Sequence, residues 1–426
     1  MPAARRNLVL GGGIAGLGAA YEARRLGLDA TIYEARETPG GLLENFTIHG
    51  FRFDQAVHLS FATEPEVRAV FDPTIHFKHK PESLCWDTGL WLKHPVQTNL
   101  YPLPAEEKVE LIAGLVEVET GPIDHYEDWL VQQYGAPIAK RWPLPYTEKY
   151  WTVPAAELGT EWVGQRMRRA DLREVLRGAV SPDTANHYYA KEMRYPEQGG
   201  YRSFLDPLVE TADIRSGKRV VRIDVQARRV LFADHSEAAY DALVSTIPLP
   251  IVVGMISDCP ERIRQLASTL FATSVDLISV GFNRPDVAPA LWFYIYDRDI
   301  AAARAYSPDL KSPANVPPGC SALQFEIYSS TRAPQRLSPA EQKENTVRGI
   351  EKMGLATAQD IVVLDHRRLP FGNVVFDRGM EDRRDEVRAW VESQGVHCAG
   401  RFGEWKYLWS NQAMLSGIAA ARLAFG

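Results

Sequence analysis

The stretch Asn7-Leu8-Val9-Leu10-Gly11-Gly12-Gly13-Ile14-Ala15-Gly16 decides the fold. Asn7 and the three apolar residues after it read as a strand. The glycines read as a turn, and the run from Leu17 to Leu26 as a helix. A second apolar run, Ala30-Thr31-Ile32-Tyr33, ends at Glu34. Strand, glycine turn, helix, strand and acidic residue is the order of a Rossmann dinucleotide-binding unit. The first glycine permits the tight turn, Gly13 lets backbone approach a pyrophosphate, and Gly16 lets helix and strand pack closely. Unpaired N–H groups and the helix dipole then favour the pyrophosphate. Glu34 stands where a ribose hydroxyl needs a carboxylate.

The residues after Glu34 choose the dinucleotide. Glu34-Ala35-Arg36-Glu37-Thr38-Pro39-Gly40-Gly41 resembles the extended FAD fingerprint of the amine-oxidase and protoporphyrinogen-oxidase superfamily. A second glycine pair would bring further backbone against the cofactor, with Arg36 facing ribose or phosphate. The resemblance implies FAD contacts from Gly11, Gly13, Ile14, Ala15, Gly16, Glu34, Ala35, Arg36, Gly40, Gly41 and Leu42. One good dinucleotide fingerprint is present, so NAD(P)H, as a reductant, would have to bind transiently in the substrate cleft.

Composition fits a globular enzyme: 426 residues, 45% hydrophobic, 24% charged. A net charge of −6 argues against nucleic-acid or anionic-membrane partners. The first apolar run is the nucleotide-binding strand itself, which argues against a signal peptide. No run is long and apolar enough to predict a membrane span. Cys85, Cys259, Cys320 and Cys398 lack CxxC spacing and read as reduced, mostly buried thiols, which suggests a cytoplasmic protein. No His/Cys cluster suggests a metal.

The expected fold class is α/β: a Rossmann-like FAD domain with a helical insertion and a mainly antiparallel, substrate-facing sheet. Residues 1–80 carry the nucleotide-binding part, 81–103 a sheet or linker segment, and 104–190 a helical domain. The helical pattern places Val109, Ile112, Leu115 and Val116 on one apolar face, which suits either the core or a homodimer contact. Residues 191–255 return to the FAD domain through strands near Val220–Val225 and Ala242–Ile247. Residues 256–375 form the substrate-facing sheet, with strands near Leu277–Phe282 and Ala322–Tyr328. Residues 376–426 close the cofactor domain with the strand Val396-His397-Cys398 and a helix near Gln412–Leu423.

Four further blocks narrow the resemblance. Tyr146-Thr147-Glu148-Lys149-Tyr150-Trp151 resembles the Y-T-E-K-x-W block of UDP-galactopyranose mutases, and Gly400-Arg401-Phe402-Gly403-Glu404-Trp405-Lys406-Tyr407 resembles their G-R-x-x-x-[YW]-K-Y block. Asn411-Gln412 is similar to the eukaryotic members. Arg194-Tyr195-Pro196 ahead of Gly199-Gly200, and Phe53-Asp54-Gln55-Ala56-Val57-His58, match more loosely.

The resemblance implies a redox-neutral reaction on reduced FAD. The flavin N5 attacks the anomeric carbon of a UDP-sugar or other NDP-hexose, the nucleotide leaves, and the sugar recloses as a furanose. It assigns Arg304 and Arg194 to the diphosphate, since guanidinium pairs with phosphate two-pronged and stays charged. Tyr407 and Tyr328 would donate hydroxyls to it, and Tyr146 and Trp151 would pack on the base. His58 would stand near the isoalloxazine. Gly400, Arg401, Asn411 and Gln412 would contact FAD, as would the backbone of Val221. Two departures stand out. Ala56 and Val57 replace the family's two glycines before His58. Trp409, counted with the substrate-binding residues, replaces an aspartate of the bacterial mutases. The competing class is a flavin oxidase or dehydrogenase of the amine-oxidase or protoporphyrinogen-oxidase type. A third is a flavin-binding protein without turnover.

Overall fold

Asn7–Leu10 is the central strand of a five-stranded parallel sheet whose neighbours come from far along the chain. Ala242–Ser245 and Val396–Cys398 extend it on one side, Ala30–Tyr33 and Asp213–Arg215 on the other. Every residue of the central strand and of Ala242–Ser245 is buried, as parallel strands covered on both faces require. The computed structural model describes residues 5–164, 170–185 and 190–426.

The helix Ile14–Arg25 follows directly on Gly13 and packs against the last helix, Ser410–Phe425. The two backbones nearly touch. A Cβ on Gly417 would lie 1.8 Å from the Ala15 carbonyl oxygen, and one on Gly18 would lie 2.6 Å from that of Met414. Small residues on both helices are therefore a steric requirement, because overpacking a close contact costs about 1–3 kcal/mol.

A seven-stranded sheet forms the second layer. Its order is Ile361–Leu369, Ser274–Phe282, Ser321–Ser329, Arg304–Tyr306, Trp292–Ile295, Ser83–Asp87 and Leu90–Lys93. All its pairs are antiparallel except Trp292–Ile295 with Ser83–Asp87. Of the expected sheet or linker segment 81–103, residues 83–87 and 90–93 are thus strands at one end of this sheet. The strand Met193–Pro196 pairs with His76–His79, outside the cofactor sheet.

The helices Ala105–Val116, Tyr126–Tyr134, Ala136–Arg141, Pro143–Trp151 and Leu172–Val180 cover one end of this sheet. The apolar face of the first differs from expectation. Leu111 is its buried anchor, flanked by half-buried Ile112 and Leu115, while Val109 and Val116 are 58% and 62% exposed. At about 100° per residue, Val109 and Val116 fall well away from the Leu111–Leu115 stripe.

Lys149 ties the helical part to the sheet. Its Nζ donates to the carbonyls of Ile295, Asp297 and Ile300 at 2.8, 3.0 and 2.9 Å, while burial pushes its pKa down to about 7. Cys85, Cys259 and Cys398 are buried and Cys320 half-buried, all as free thiols. Among the described residues, no helix is long and apolar enough to cross a membrane, and no cluster of three or more His, Cys, Asp or Glu could hold a metal.

Candidate active site

One wall of the site is backbone. Gly11 has φ +99°, and a Cβ at Gly16 would lie 1.9 Å from the Gly11 carbonyl oxygen, so neither position admits a side chain. Gly13 differs: a Cβ there meets nothing nearer than the Gly41 Cα at 3.8 Å, and its surroundings have the room a pyrophosphate needs. Gly40 closes the second turn over the first by donating to the Gly12 carbonyl at 2.9 Å. The buried Glu34 carboxylate accepts from the Gly12 N–H at 2.6 Å and the Arg36 N–H at 2.8 Å. Arg36 itself is exposed, its Nη1 3.4 Å from the Gly41 carbonyl and from Gln55.

The three-stranded sheet Val220–Asp224, Arg229–Phe232, Glu237–Ala239 joins at this end. Lys218 donates its N–H to the Glu34 carbonyl at 2.8 Å. Strand pairing skips Val221, which leaves its backbone outside the ladder. The C-terminal segment arrives from the opposite side. Arg401 lies over the Tyr407 ring at 4.7 Å and donates to Asn373 at 2.5 Å, while its buried Nε has no protein partner among the described residues. The last helix starts at Ser410, where first-turn N–H groups have no intrahelical partner. The Asn411 and Gln412 side chains are engaged locally, with Glu64 and with the Trp409 N–H. Open backbone at Gly13, an aimed carboxylate, a skipped strand residue and an unpartnered guanidinium nitrogen fit a bound dinucleotide.

The other wall is made of side chains. Arg304 and Glu326 stand directly opposite each other on paired strands. Arg304 Nε donates to Glu326 Oε2 at 2.5 Å, its Nη2 to the Tyr328 hydroxyl at 3.2 Å, and its guanidinium lies 5.3 Å from the centre of the Tyr150 ring. Tyr328 also donates to Glu326. Burial disfavours the Arg304 charge, but Glu326 and the tyrosines outweigh it and its pKa is raised. Burial likewise disfavours the Glu326 charge; Arg304, Tyr328 and the Val57 N–H hold its pKa below the usual carboxylate value. Tyr146 and Tyr150 stack along the helix Pro143–Trp151, and Tyr150 approaches Tyr407, hydroxyl to hydroxyl at 3.5 Å. Burial raises the pKa of Tyr146, Tyr328 and Tyr407, which keeps all three protonated donors at neutral pH. The Tyr146 hydroxyl is buried without a protein partner among the described residues.

The loop Gln55–His58 spans the two walls. Ala56 has φ +74°, the left-handed conformation that the family's glycine would take without strain. The Val57 N–H donates to Glu326 Oε1 at 2.9 Å. His58 Nε2 lies 2.9 Å from the Leu42 carbonyl and 3.1 Å from that of Gln55, so Nε2 carries the proton. Burial lowers its pKa, and the ring is neutral. Beneath the loop, Asp54 and Lys311 form a fully buried ion pair at 3.0 Å, with Tyr195 also donating to Asp54.

Of three further expected residues, Arg194 and Trp409 stand apart from the Arg304 cluster and Trp151 borders it through the Tyr150 and Tyr407 rings. Arg194 is committed elsewhere: Asp72, Glu192 and the Ala62 carbonyl take its guanidinium, and its side chain is only 8% exposed. Its donors already have partners that compensate the buried charge, so it reads as a structural pin and not a diphosphate ligand. Trp151 is packed into the core among Trp162, Phe376 and Tyr407, so it reads as packing and not as a base platform. Trp409 meets Phe61 edge-on at 4.7 Å, beside the loop that follows His58. Conversely, Glu326 was not singled out from sequence. The signal was there: a lone carboxylate in the apolar strand Ala322-Leu323-Gln324-Phe325-Glu326-Ile327.

A glycine-cradled parallel sheet facing an arginine-tyrosine wall defines a dinucleotide-dependent enzyme of the two-layer flavoprotein type. Comparison with known proteins agrees. Residues 9–74 match the NAD(P)-binding Rossmann-like domain and residues 131–424 the flavin containing amine oxidoreductase family. The chain belongs to the flavin-containing amine oxidoreductase family, and within it is UDP-galactopyranose mutase-like. The structure resembles that of a reduced UDP-galactopyranose mutase, with TM-score 0.92 and 25% identity over 99% of this chain and 96% of that one. It shares its fold with a putative protoporphyrinogen oxidase from Exiguobacterium sp. 255-15, with TM-score 0.76 and 19% identity over 99% and 98% of the two chains. A shorter match, 35% identical over 68 residues, links it to protoporphyrinogen oxidase 2 of Arabidopsis thaliana. That match spans 16% of this chain and 13% of the relative. Membership in the family supports FAD as the cofactor.

Proposed function

We propose that the protein is a nucleotide-sugar pyranose–furanose mutase that works with reduced FAD. The observation that carries this reading is Arg304, oriented by Glu326 and ringed by Tyr146, Tyr150 and Tyr328, in a chain that superposes along its length on a mutase. Bound and reduced, the flavin supplies the nucleophile for the anomeric carbon. The chain's own residues handle the leaving group. Arg304 holds the diphosphate as it departs, through charge-assisted hydrogen bonds preorganised by the Glu326 contact. Tyr328 and Tyr407, kept protonated by burial, donate to its oxygens. The unpartnered Tyr146 hydroxyl is a further donor, and its ring, edge-on to Tyr294, borders the space for the base. His58 is neutral and holds its loop against Leu42, beside the cofactor turn. The substrate class is a UDP- or other NDP-hexose, and the role is in carbohydrate biosynthesis.

The test is anaerobic. The chemically reduced protein is incubated with UDP- and dTDP-hexoses, and the nucleotide sugars are separated by chromatography and identified by NMR. A ring-contracted product formed with reduced protein alone supports the proposal. Absence of any furanose, together with oxygen uptake and flavin bleaching by amines or tetrapyrroles, replaces it with the oxidoreductase reading.

A further inference from the structure

Glu326 is the residue through which the two walls of the site meet. Its two oxygens have different duties. Oε2 faces Arg304 and Tyr328 on the side-chain wall, while Oε1 takes the N–H of Val57, 269 residues away in sequence. Val57 lies between Ala56, whose φ is +74°, and His58, whose ring touches the Leu42 carbonyl. Leu42 belongs to the turn Gly41–Leu43, which closes over Gly13. A short strap therefore runs from the cofactor turn through His58 and Val57 to Glu326 and on to Arg304. The carboxylate itself is fully buried in an interior strand of the sheet, so it cannot yield to solvent when its partners change.

We propose that Glu326 is a positioning residue that couples anion occupancy at Arg304 to the setting of the Gln55–His58 loop beside the flavin. This rests on the nucleotide-binding reading above. An anionic diphosphate shares the Arg304 guanidinium with Glu326, which still orients it. The carboxylate charge is then less fully matched on the Arg304 side and bears more heavily on the Val57 N–H. The loop is held in a left-handed turn by that hydrogen bond and by His58, so a change at Glu326 alters the bias on the turn. Coupling of this kind is reciprocal: if the diphosphate changes the flavin's redox equilibrium, reduction must change diphosphate affinity by the same factor.

The test measures the flavin midpoint potential with and without saturating UDP, and UDP affinity for the oxidised and reduced protein. In the unaltered protein, reduction changes UDP affinity at least about tenfold, equivalent to a shift of about 30 mV for a two-electron couple. Glu326→Gln still binds UDP, more weakly, and the shift falls to less than about a third of its original size. An unchanged shift in Glu326→Gln, or no shift in the unaltered protein with UDP bound, overturns the coupling and leaves the nucleotide site standing. No UDP binding in either redox state overturns the nucleotide reading and the coupling with it. Should Glu326→Gln fail to retain flavin, Glu326→Asp decides, since it keeps the charge but is too short to serve Arg304 and Val57 together. It is expected to lose the shift, while Glu107→Asp, which shortens a carboxylate paired with Arg141 in the helical part, keeps it. Equal loss in both variants overturns the proposal.

Discussion

The two walls of the cleft recognise by opposite means. The cofactor wall works by what is missing: side chains are excluded at Gly16 and Gly417 by backbone contacts, and at Gly11 by a φ of +99° and the Thr246 hydroxyl. The facing wall works by what is present: a guanidinium, a carboxylate and several tyrosine hydroxyls brought together from strands and helices far apart in sequence. The first kind of wall has no tolerance for added atoms, because the clash is with main chain that cannot move without the fold. The second can lose single groups, since each contributes a separate contact. Substitutions on the cofactor wall should therefore act on folding and flavin retention, and those on the facing wall on affinity, with stability lost as well only where a buried charge is left unpaired.

The largest effect is expected from Gly16→Val. Its Cβ would lie 1.9 Å from the Gly11 oxygen, inside the first turn. Little folded flavoprotein should be recovered, as read by near-ultraviolet circular dichroism and flavin absorbance; a native spectrum would remove the steric premise. Gly13→Val comes next. With 3.8 Å to the nearest atom, the chain should fold, but the added methyls fill the pyrophosphate's place and the purified protein should be colourless. A normally flavinated Gly13→Val protein would move the cofactor elsewhere.

Arg304→Ala crosses to the facing wall. Flavin should stay bound while nucleotide-sugar affinity falls roughly 10- to 150-fold, the value of a charge-assisted hydrogen bond of about 1.5–3 kcal/mol. Isothermal titration with UDP checks this. The same variant leaves Glu326 buried without its cation, so a stability loss of about 3–5 kcal/mol should accompany it in urea. The smallest effect belongs to Tyr146→Phe. Its hydroxyl has no protein partner among the described residues, so the urea midpoint should not fall, whereas KM should rise about fivefold for the loss of one hydrogen bond of about 1 kcal/mol. A fall in stability with KM unchanged would make Tyr146 a packing residue.

The same contrast explains what could be read from sequence. The cofactor wall is encoded within about forty residues, where glycine spacing and the terminal Glu34 carry the geometry themselves. Its closure by Val396–Cys398 and the last helix was also visible, as a short strand running into glycine and a small-residue helix. The facing wall is a product of strand pairing. Arg304 was legible as an arginine after an aromatic strand, but nothing local says that Glu326 stands opposite it or that Val57 reaches the same carboxylate. Arg194 shows the converse. Its motif looked chemical, yet Asp72 and Glu192 neutralise it, and a partner 122 residues away cannot be read from spacing. On the helix Ala105–Val116, apolar periodicity alone could not choose the buried stripe, because Val109 and Val116 share the composition of the core without its neighbours.

The contact between the first and last helices also bears on how the protein is made. Synthesis proceeds from the N-terminus, so the glycine turn leaves the ribosome long before Gly417 and Met414 exist to pack on Ala15 and Gly18. The strand Val396–Cys398, at one edge of the same sheet, is also made late. The cofactor cradle is consequently completed only once residues 410–425 have been made, and the nascent chain carries its first helix uncovered until then. Flavin capture thereby follows synthesis of the last helix, and a chain stalled before it has no finished site to load.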